Sequence, residues 1–397
     1  MAELLSLAAA QAAVLDRVRV LDAEDTPVAD VAGRVVAEDA AAVVNLPPFA
    51  ASAMDGFALR VEDTPGVLPV AVRIAAGVPA GTALEPGTAM GIATGGVVPD
   101  GADGVIPLEH VADRGNEIEV QGSVAQMANI RPAGADISVG GVVVSRGTRL
   151  TPAHVGALAA AGIARVSCTR RPRVAVLSTG TELRPPGEPL GPGQVYEANG
   201  AMLAAAFTSA NAVVERLPFV ADDESAHRDA LERALEHDVV VTSGGVSVGP
   251  HDLVRNIERA LGVEEVFWGV AVKPGKPLAF GVRGNTLVFG LPGNPVSSLV
   301  SAELFVRPAL LALQGASEPG PTYERGRLAQ SARRNPQRDE FLRARRTVLD
   351  GEIQLDPIRG QESHMIARAA GADALILAPR GEGELAAGAT VDYLRLA

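Results

Sequence analysis

Apolar residues fall in short runs along this chain, and the rhythm that spaces them changes twice. Over residues 1 to about 165 the pattern is mixed. The opening MAELLSLAAAQAAVLDRV has helical spacing, and DTPVADVAGRVVAED reads as a second helical stretch. From 66 to 150, runs such as LPVAVRIAAG, GTAMGIATGG and GVVVSRGTRL are broken by Gly and Pro, as short β-strands are. TPAHVGALAAAGI predicts a helix with Thr151 as cap, Pro152 in its first turn and Gly162 at its end. The basic TRRPR that follows a short strand is a candidate domain boundary.

From about 171 to 313 strand and helix alternate. RVAVLST, VVERLPFV, DVVVTSGG, VEEVFWGVAV, PLAFGV and TLVFGLPG read as strands, NGAMLAAAFTSAN and DESAHRDALERALEH as helices, and a further helix begins near Pro295. Repeated βα units of this length predict a mainly parallel sheet with helices on both faces. Ligands collect outside the carboxyl ends of such strands. From about 318 onward RGRLAQSA, DEFLRARRTV, EIQLDP, ALILAP and ATVDYLRL alternate as the strands of a small β-barrel or sandwich. The expected domains are 1–170, with a β-rich insert at about 45–145, then 171–315 and 316–397.

Composition narrows the function classes. A chain of 397 residues holds two or three domains at about 150 residues each, and no run approaches the roughly 18 apolar residues of a membrane span. The N-terminal apolar run has no basic start and carries Glu3 and Gln11, which favours an amphipathic helix and a cytoplasmic protein over a secretory signal. Cys168 is the only cysteine, so neither an intramolecular disulfide nor a thiolate metal cluster can form. A net charge of −12 and 3% aromatic residues argue against a nucleic-acid surface. A small anion could still be held by a local island of cations and backbone N–H groups.

Four segments fall at strand ends of the central region: STGTEL (178–183), TSGGVSVGPHD (242–252), VKPGKPLAF (272–280) and GLPGNPVS (290–297). In the second, Gly244 and Gly245 either make a plain tight turn or bring backbone N–H groups against an anion, with Ser243 and Ser247 as hydroxyl donors. In the third, Lys273 and Lys276 flank Pro274-Gly275, a turn that can aim two ammonium groups at one place. That is unfavourable unless an anion or carboxylate lies between them. Glu182, Asp222, Asp223 and Asp252 accompany these cations. Asp223 reads first as a helix cap, whereas Asp222 and Asp252, if they converge, could hold Mg²⁺. The six histidines show no HExxH spacing, so a zinc hydrolase is not expected. In LPPFAASAMDGFALR (46–60), Asp55-Gly56 is a turn carrying a carboxylate.

In the family's order, PPFAASAMDGFALR, ATGGVVPDGADGVIPLEH, STGTEL, TSGGVSVGPHD, KPGKP and GLPGNPVS resemble the molybdopterin molybdenumtransferases, the bacterial MoeA proteins and the gephyrin E domain. The resemblance runs over essentially the whole chain. It implies a multidomain α/β protein: a central doubly wound, mainly parallel sheet of the molybdopterin-binding fold, a mixed α+β N-terminal region with the β-rich insert, and a small C-terminal β-barrel. The activity implied is insertion of molybdenum from molybdate into the dithiolene of adenylylated molybdopterin, with Mg²⁺-dependent release of AMP. The family is an elongated homodimer whose site joins the central domain of one subunit to N-terminal segments of the other. Its reaction implies an adenylyltransferase and apo-molybdoenzymes as possible partners.

Matched by position, Asp222, Ser247 and Asp252 would contact the adenylylated pterin and its metal, with Glu182, Gly244 and Gly245 nearby. Lys273, Pro274, Lys276, Ser297, Arg338 and Ser363 would line the molybdate pocket, and Asp55 and Thr94 would come from the N-terminal region. The catalytic set so implied is Asp55, Asp222, Asp252, Lys273 and Lys276, with Glu182 as a third metal ligand. Clustered cations and hydroxyls are what an oxyanion needs. The chain departs from the family at Pro132 and Ala135, where another Arg and a Glu are usual, and at Glu197 in place of Asp. Two other readings stand beside the transferase: an adenylyltransferase or other nucleotide-processing enzyme on the same central fold, and a gephyrin-like scaffold.

Overall fold

The structure is a computed structural model that describes residues 4–75, 77–220, 223–245 and 253–396. At its centre lies a six-stranded sheet in the order Val213–Arg216, Arg173–Ser178, Val239–Ser243, Thr286–Leu291, Ala279–Arg283, Glu264–Trp268. The first four strands are parallel, and the last two are added antiparallel as a hairpin edge. All five residues of Val239–Ser243 are buried, as an interior parallel strand covered on both faces requires.

Helices cover both faces. On one, Leu203 and Phe207 of Asn199–Ser209 pack with Val174, Val176, Val241 and Phe289 and with the helical stretch from Pro295 to Leu313. Leu7, Ala10 and Val14 of the opening helix Leu7–Leu15 are buried in this same core. On the other face, Leu231 and Ala234 of Glu224–Ala234 and Val254 and Ile257 of Leu253–Ala260 pack on Ala175, Leu177 and Val240. Each fully buried Leu, Val or Phe contributes about 1.5–3 kcal/mol, so the two layers hold the strand ends firmly. The stretch Pro295–Leu313 is long and apolar enough to cross a membrane by length and composition, yet it is the core helix of this sheet, 72% buried over its apolar window.

The C-terminal strands close into a five-stranded barrel: Asp339–Leu349, Glu352–Pro357, Tyr323–Leu328, Thr390–Arg395, Ala374–Ala378 and back to Asp339–Leu349. Of the barrel and the sandwich, the closed form is the one adopted, with Leu342, Ala344, Leu355, Ile376 and Tyr393 inside. The N-terminal insert forms another six-stranded sheet around Phe57, Leu59 and Ile118.

One expected element is corrected. DTPVADVAGRVVAED is not helical: Ala23–Pro27 is a strand paired antiparallel with Arg165–Thr169, followed by a 3-10 turn at Val28–Asp30. Pro27 and the β-branched Val35 and Val36 suit extended backbone, and the two valines bridge to Arg149 and Cys168. The helix Pro152–Ala160 forms as expected, and Thr151 and His154 cap each other's backbone.

Candidate active site

The carboxyl ends of Arg173–Ser178, Val239–Ser243 and Thr286–Leu291 open into a cavity of about 1040 Å³. Its wall includes Thr179, Glu182, Tyr196, Asn199, Gly244, Gly245, Trp268 and Lys276. The strand Val239–Ser243 turns here because its next two residues are glycines at φ +95 and +68. A Cβ at Gly244 would lie 2.6 Å from the Thr179 carbonyl oxygen, and one at Gly245 2.5 Å from a Val254 methyl. The pair is therefore dictated by backbone sign and close approach at a cavity wall.

Two asparagines brace this floor. Asn199 donates to Ser243 Oγ at 2.9 Å and to the Gly293 carbonyl at 2.7 Å, and Ser243 Oγ lies 3.3 Å from Ser298 Oγ. Asn294 donates to Ser363 Oγ at 2.9 Å, and the Val296 N–H donates to the Ser363 carbonyl at 3.1 Å. These bonds tie GLPGNPVS to the loop that precedes the short helix Ile366–Ala369. Glu197 is 5% exposed; its carboxylate accepts from Ser178 Oγ at 2.8 Å and from the Gly200 N–H, with Arg216 at 3.2 Å. The longer acid in place of Asp thus anchors the start of the helix Asn199–Ser209.

A second cavity of about 610 Å³ lies between this sheet and the barrel, lined by Lys273, Pro274, Lys276, Ser297, Arg338, Glu362 and Ser363 among others. Lys276, Pro277, Pro292 and Asn294 belong to both cavities, so the two adjoin. Lys273 Nζ pairs with Glu340 at 2.9 Å, while among the described residues Lys276 forms no ion pair and is exposed. Gly275 sits at φ +112, and a Cβ there would be 2.8 Å from Ser301 Oγ. This turn presses KPGKP against the helix that carries Ser297.

Every described member of the expected molybdate set therefore lines the smaller cavity, and Glu182, Gly244 and Gly245 line the larger. Asp55 and Thr94 meet each other: the Thr94 N–H donates to Asp55 Oδ1 at 2.6 Å. That bond, with a smaller part from the Thr94 side chain, holds the Asp55 carboxyl below its ordinary range. Neither residue lines either cavity. Asp222, Ser247 and Asp252 lie outside the described residues. Asp223 caps the helix Glu224–Ala234, accepting the Ala226 N–H at 2.8 Å. In the departing loop, Pro132 and Ala135 close a turn through a 3.2 Å backbone bond.

Sequence reasoning missed Asn199, Asn294 and Glu340. The asparagines stood inside quoted motifs and could have been found as donors at strand ends. Glu340 stands in DEFLRARRTV, which reads only as a strand of the barrel or sandwich.

Comparison with known proteins covers the whole chain. Residues 5–162 match the MoeA N-terminal region (domain I and II), 175–312 a probable molybdopterin binding domain, and 325–396 the MoeA C-terminal region (domain IV). The chain is 36% identical over 394 residues to molybdopterin molybdenumtransferase 2 of Mycobacterium tuberculosis, covering 95% of this chain and 96% of that protein. It is 35% identical over 368 residues to the molybdopterin molybdenumtransferase of Haemophilus influenzae, covering 91% of each. The solved molybdopterin biosynthesis MoeA protein of Pyrococcus horikoshii superposes with a TM-score of 0.85 at 29% identity, over 99% of this chain and 100% of that one.

Proposed function

The chain belongs to the molybdopterin molybdenumtransferase (MoeA) family, and from that premise we propose that its two adjoining cavities divide one reaction between them. The enzyme acts in molybdenum cofactor biosynthesis, inserting molybdenum from molybdate into the dithiolene of adenylylated molybdopterin with release of AMP. The larger cavity takes the pterin nucleotide and the smaller one molybdate. The observation that carries this division is the shared wall of Lys276, Pro277, Pro292 and Asn294, across which the dithiolene and the oxyanion would meet.

Each residue then has a task. Lys273, Lys276 and Arg338 supply positive charge to the oxyanion, and the Ser297 and Ser363 hydroxyls donate to it. Pro274 shapes the turn that separates the two lysines. Gly244 and Gly245 admit the pterin nucleotide close to the backbone, and Ser247 contacts it. Mg²⁺ prefers one or two carboxylates together with phosphate oxygens and water, and Glu182, a hard oxygen donor on the wall of the larger cavity, fits that preference. Asp222 and Asp252 complete the proposed donor set. Bound there, Mg²⁺ would offset charge on the phosphoanhydride.

Asp55 and Thr94 are paired away from both cavities, which supports their delivery to the site by a second copy of the chain. We therefore assign the active species as a cytoplasmic homodimer that receives its pterin from an adenylyltransferase and passes cofactor to apo-molybdoenzymes. The working division of the chain is 1–170, 171–315 and 316–397. The scaffold and adenylyltransferase readings are not favoured, because the likeness extends through all three regions and the cationic cavity is intact. Purified chain given adenylylated molybdopterin, molybdate and Mg²⁺ should activate an apo-molybdoenzyme. Failure to do so, with the pterin substrate verified, would refute the reading.

A further inference from the structure

Arg343 is 1% exposed and is among the largest fully buried side chains of the described residues. It sits on the barrel strand Asp339–Leu349, on the same face as Phe341, which packs into the core of the central sheet. Its Nη2 donates to the carbonyls of Gly360 (3.1 Å) and Glu362 (3.4 Å). Its backbone is clasped as well: the N–H donates to Gln361 Oε1 at 3.0 Å, and the carbonyl accepts from Gln361 Nε2 at 2.8 Å and from the Ile358 N–H at 2.9 Å. Nε and Nη1 have no hydrogen-bond partner among the described residues. A buried guanidinium left partly unpaired is costly, and a neutral residue would pack there more cheaply.

Two features of the smaller cavity account for that cost. The clasped loop ends at Ser363, whose hydroxyl is fixed by Asn294 on the cavity wall. The second feature is charge. Lys273, Lys276 and Arg338 line the cavity with Glu362, and Glu340, outside that lining, pairs with Lys273, so two carboxylates draw on the charge of the cationic wall. Arg343 shares the strand Asp339–Leu349 with Glu340, and its Nη2 reaches the Glu362 carbonyl at 3.4 Å, so its positive charge lies close to both carboxylates.

We propose that Arg343 is a positioning residue of the oxyanion cavity: it fixes the 358–363 loop and offsets Glu340 and Glu362, so that the cationic wall is free to hold molybdate. This inference rests on the reading of the smaller cavity as the molybdate site, and the wild-type arm of its test examines that reading separately.

Molybdate and adenylylated molybdopterin are titrated in turn into the full chain by calorimetry. Wild type should bind both; no molybdate binding by wild type would overturn the reading of the cavity and this proposal with it. Arg343→Met should weaken molybdate about tenfold and leave the pterin within about twofold. Glu362→Gln should tighten molybdate more in the Arg343→Met background than in wild type, because only there is the Glu362 charge left without its offset; equal gains in both backgrounds would overturn the charge argument. Unchanged molybdate affinity in Arg343→Met, or equal weakening of both ligands, would overturn the proposal while leaving the cavity reading standing. Should Arg343→Met not fold, Arg343→Lys and Arg343→Gln are compared in its place: the charged variant should hold molybdate several-fold more tightly than the neutral one, and equal affinities would overturn the charge argument.

Discussion

Lys276→Ala separates the site from the fold more cleanly than any other substitution. Lys276 is exposed, forms no ion pair among the described residues, and lies on the wall common to both cavities. Its backbone, which alanine retains, supplies what the fold uses: the Lys276 carbonyl accepts from the N–H groups of Val270 (3.1 Å) and Leu278 (3.0 Å). Removing such a side chain changes stability by no more than about 0.5 kcal/mol. A charge-assisted hydrogen bond to an oxyanion contributes about 1.5–3 kcal/mol, which is roughly a 10- to 150-fold loss of molybdate affinity. The assay is initial AMP release against molybdate concentration, with a thermal melt of the same preparation. The expected result is a raised half-saturating molybdate concentration with an unmoved melting temperature, and Lys276→Arg should recover part of the loss. A lowered melting temperature with unchanged molybdate dependence would refute the reasoning.

Gly244→Ala forces an L-residue to φ +95 with its Cβ 2.6 Å from a carbonyl oxygen, so it should cost at least about 1 kcal/mol in denaturant unfolding and weaken pterin binding; wild-type values for both would contradict the turn. Asp238 is pulled upward by burial, but two hydrogen bonds from Arg170 and one from the Arg173 N–H outweigh this and hold its pKa below 3.8. Its unfolded value is the higher one, so its stabilisation is complete above pH 3.8 and is lost as pH falls through the folded value. Asp238→Asn should therefore lower stability at neutral pH and narrow its difference from wild type in acid, as unfolding curves across that range would show; a constant difference would contradict the linkage. Assayed at molybdate too dilute for Lys276→Ala sites to use, co-expressed Asp55→Ala and Lys276→Ala chains should regain about a quarter of wild-type activity, since half the dimers carry one intact shared site of two. No recovery on mixing would count against a site shared between subunits.

Much of the fold was legible because its signals are local. The Val-rich runs 174–177 and 239–241 have no room for a solvent face, and the glycines and prolines that stop them mark where the strands end. The helix Glu224–Ala234 showed itself by its charged face and its Asp223 cap. Residues 25–39 were misread because small apolar residues at helical spacing occur equally in strands, and only pairing with Arg165–Thr169 decides between them. The joining of KPGKP, GLPGNPVS and Ser363 in one cavity depends on barrel closure, a contact no local pattern encodes. Arg343 carried one usable signal: strand alternation places it with Phe341, on the face opposite Leu342 and Ala344 of the barrel interior and turned to the central sheet.

The central claim is that two adjoining cavities couple molybdate capture to AMP release, and single-turnover chemistry tests it most directly. Enzyme loaded with adenylylated molybdopterin and Mg²⁺ is mixed with molybdate, and AMP and molybdenum-bearing pterin are measured over time. Both should appear together in equal amounts, at a rate that saturates with molybdate and that reaches half its maximum only at far higher molybdate in Lys276→Ala. AMP released at the same rate without molybdate, with no molybdenum transferred to the pterin, would contradict it.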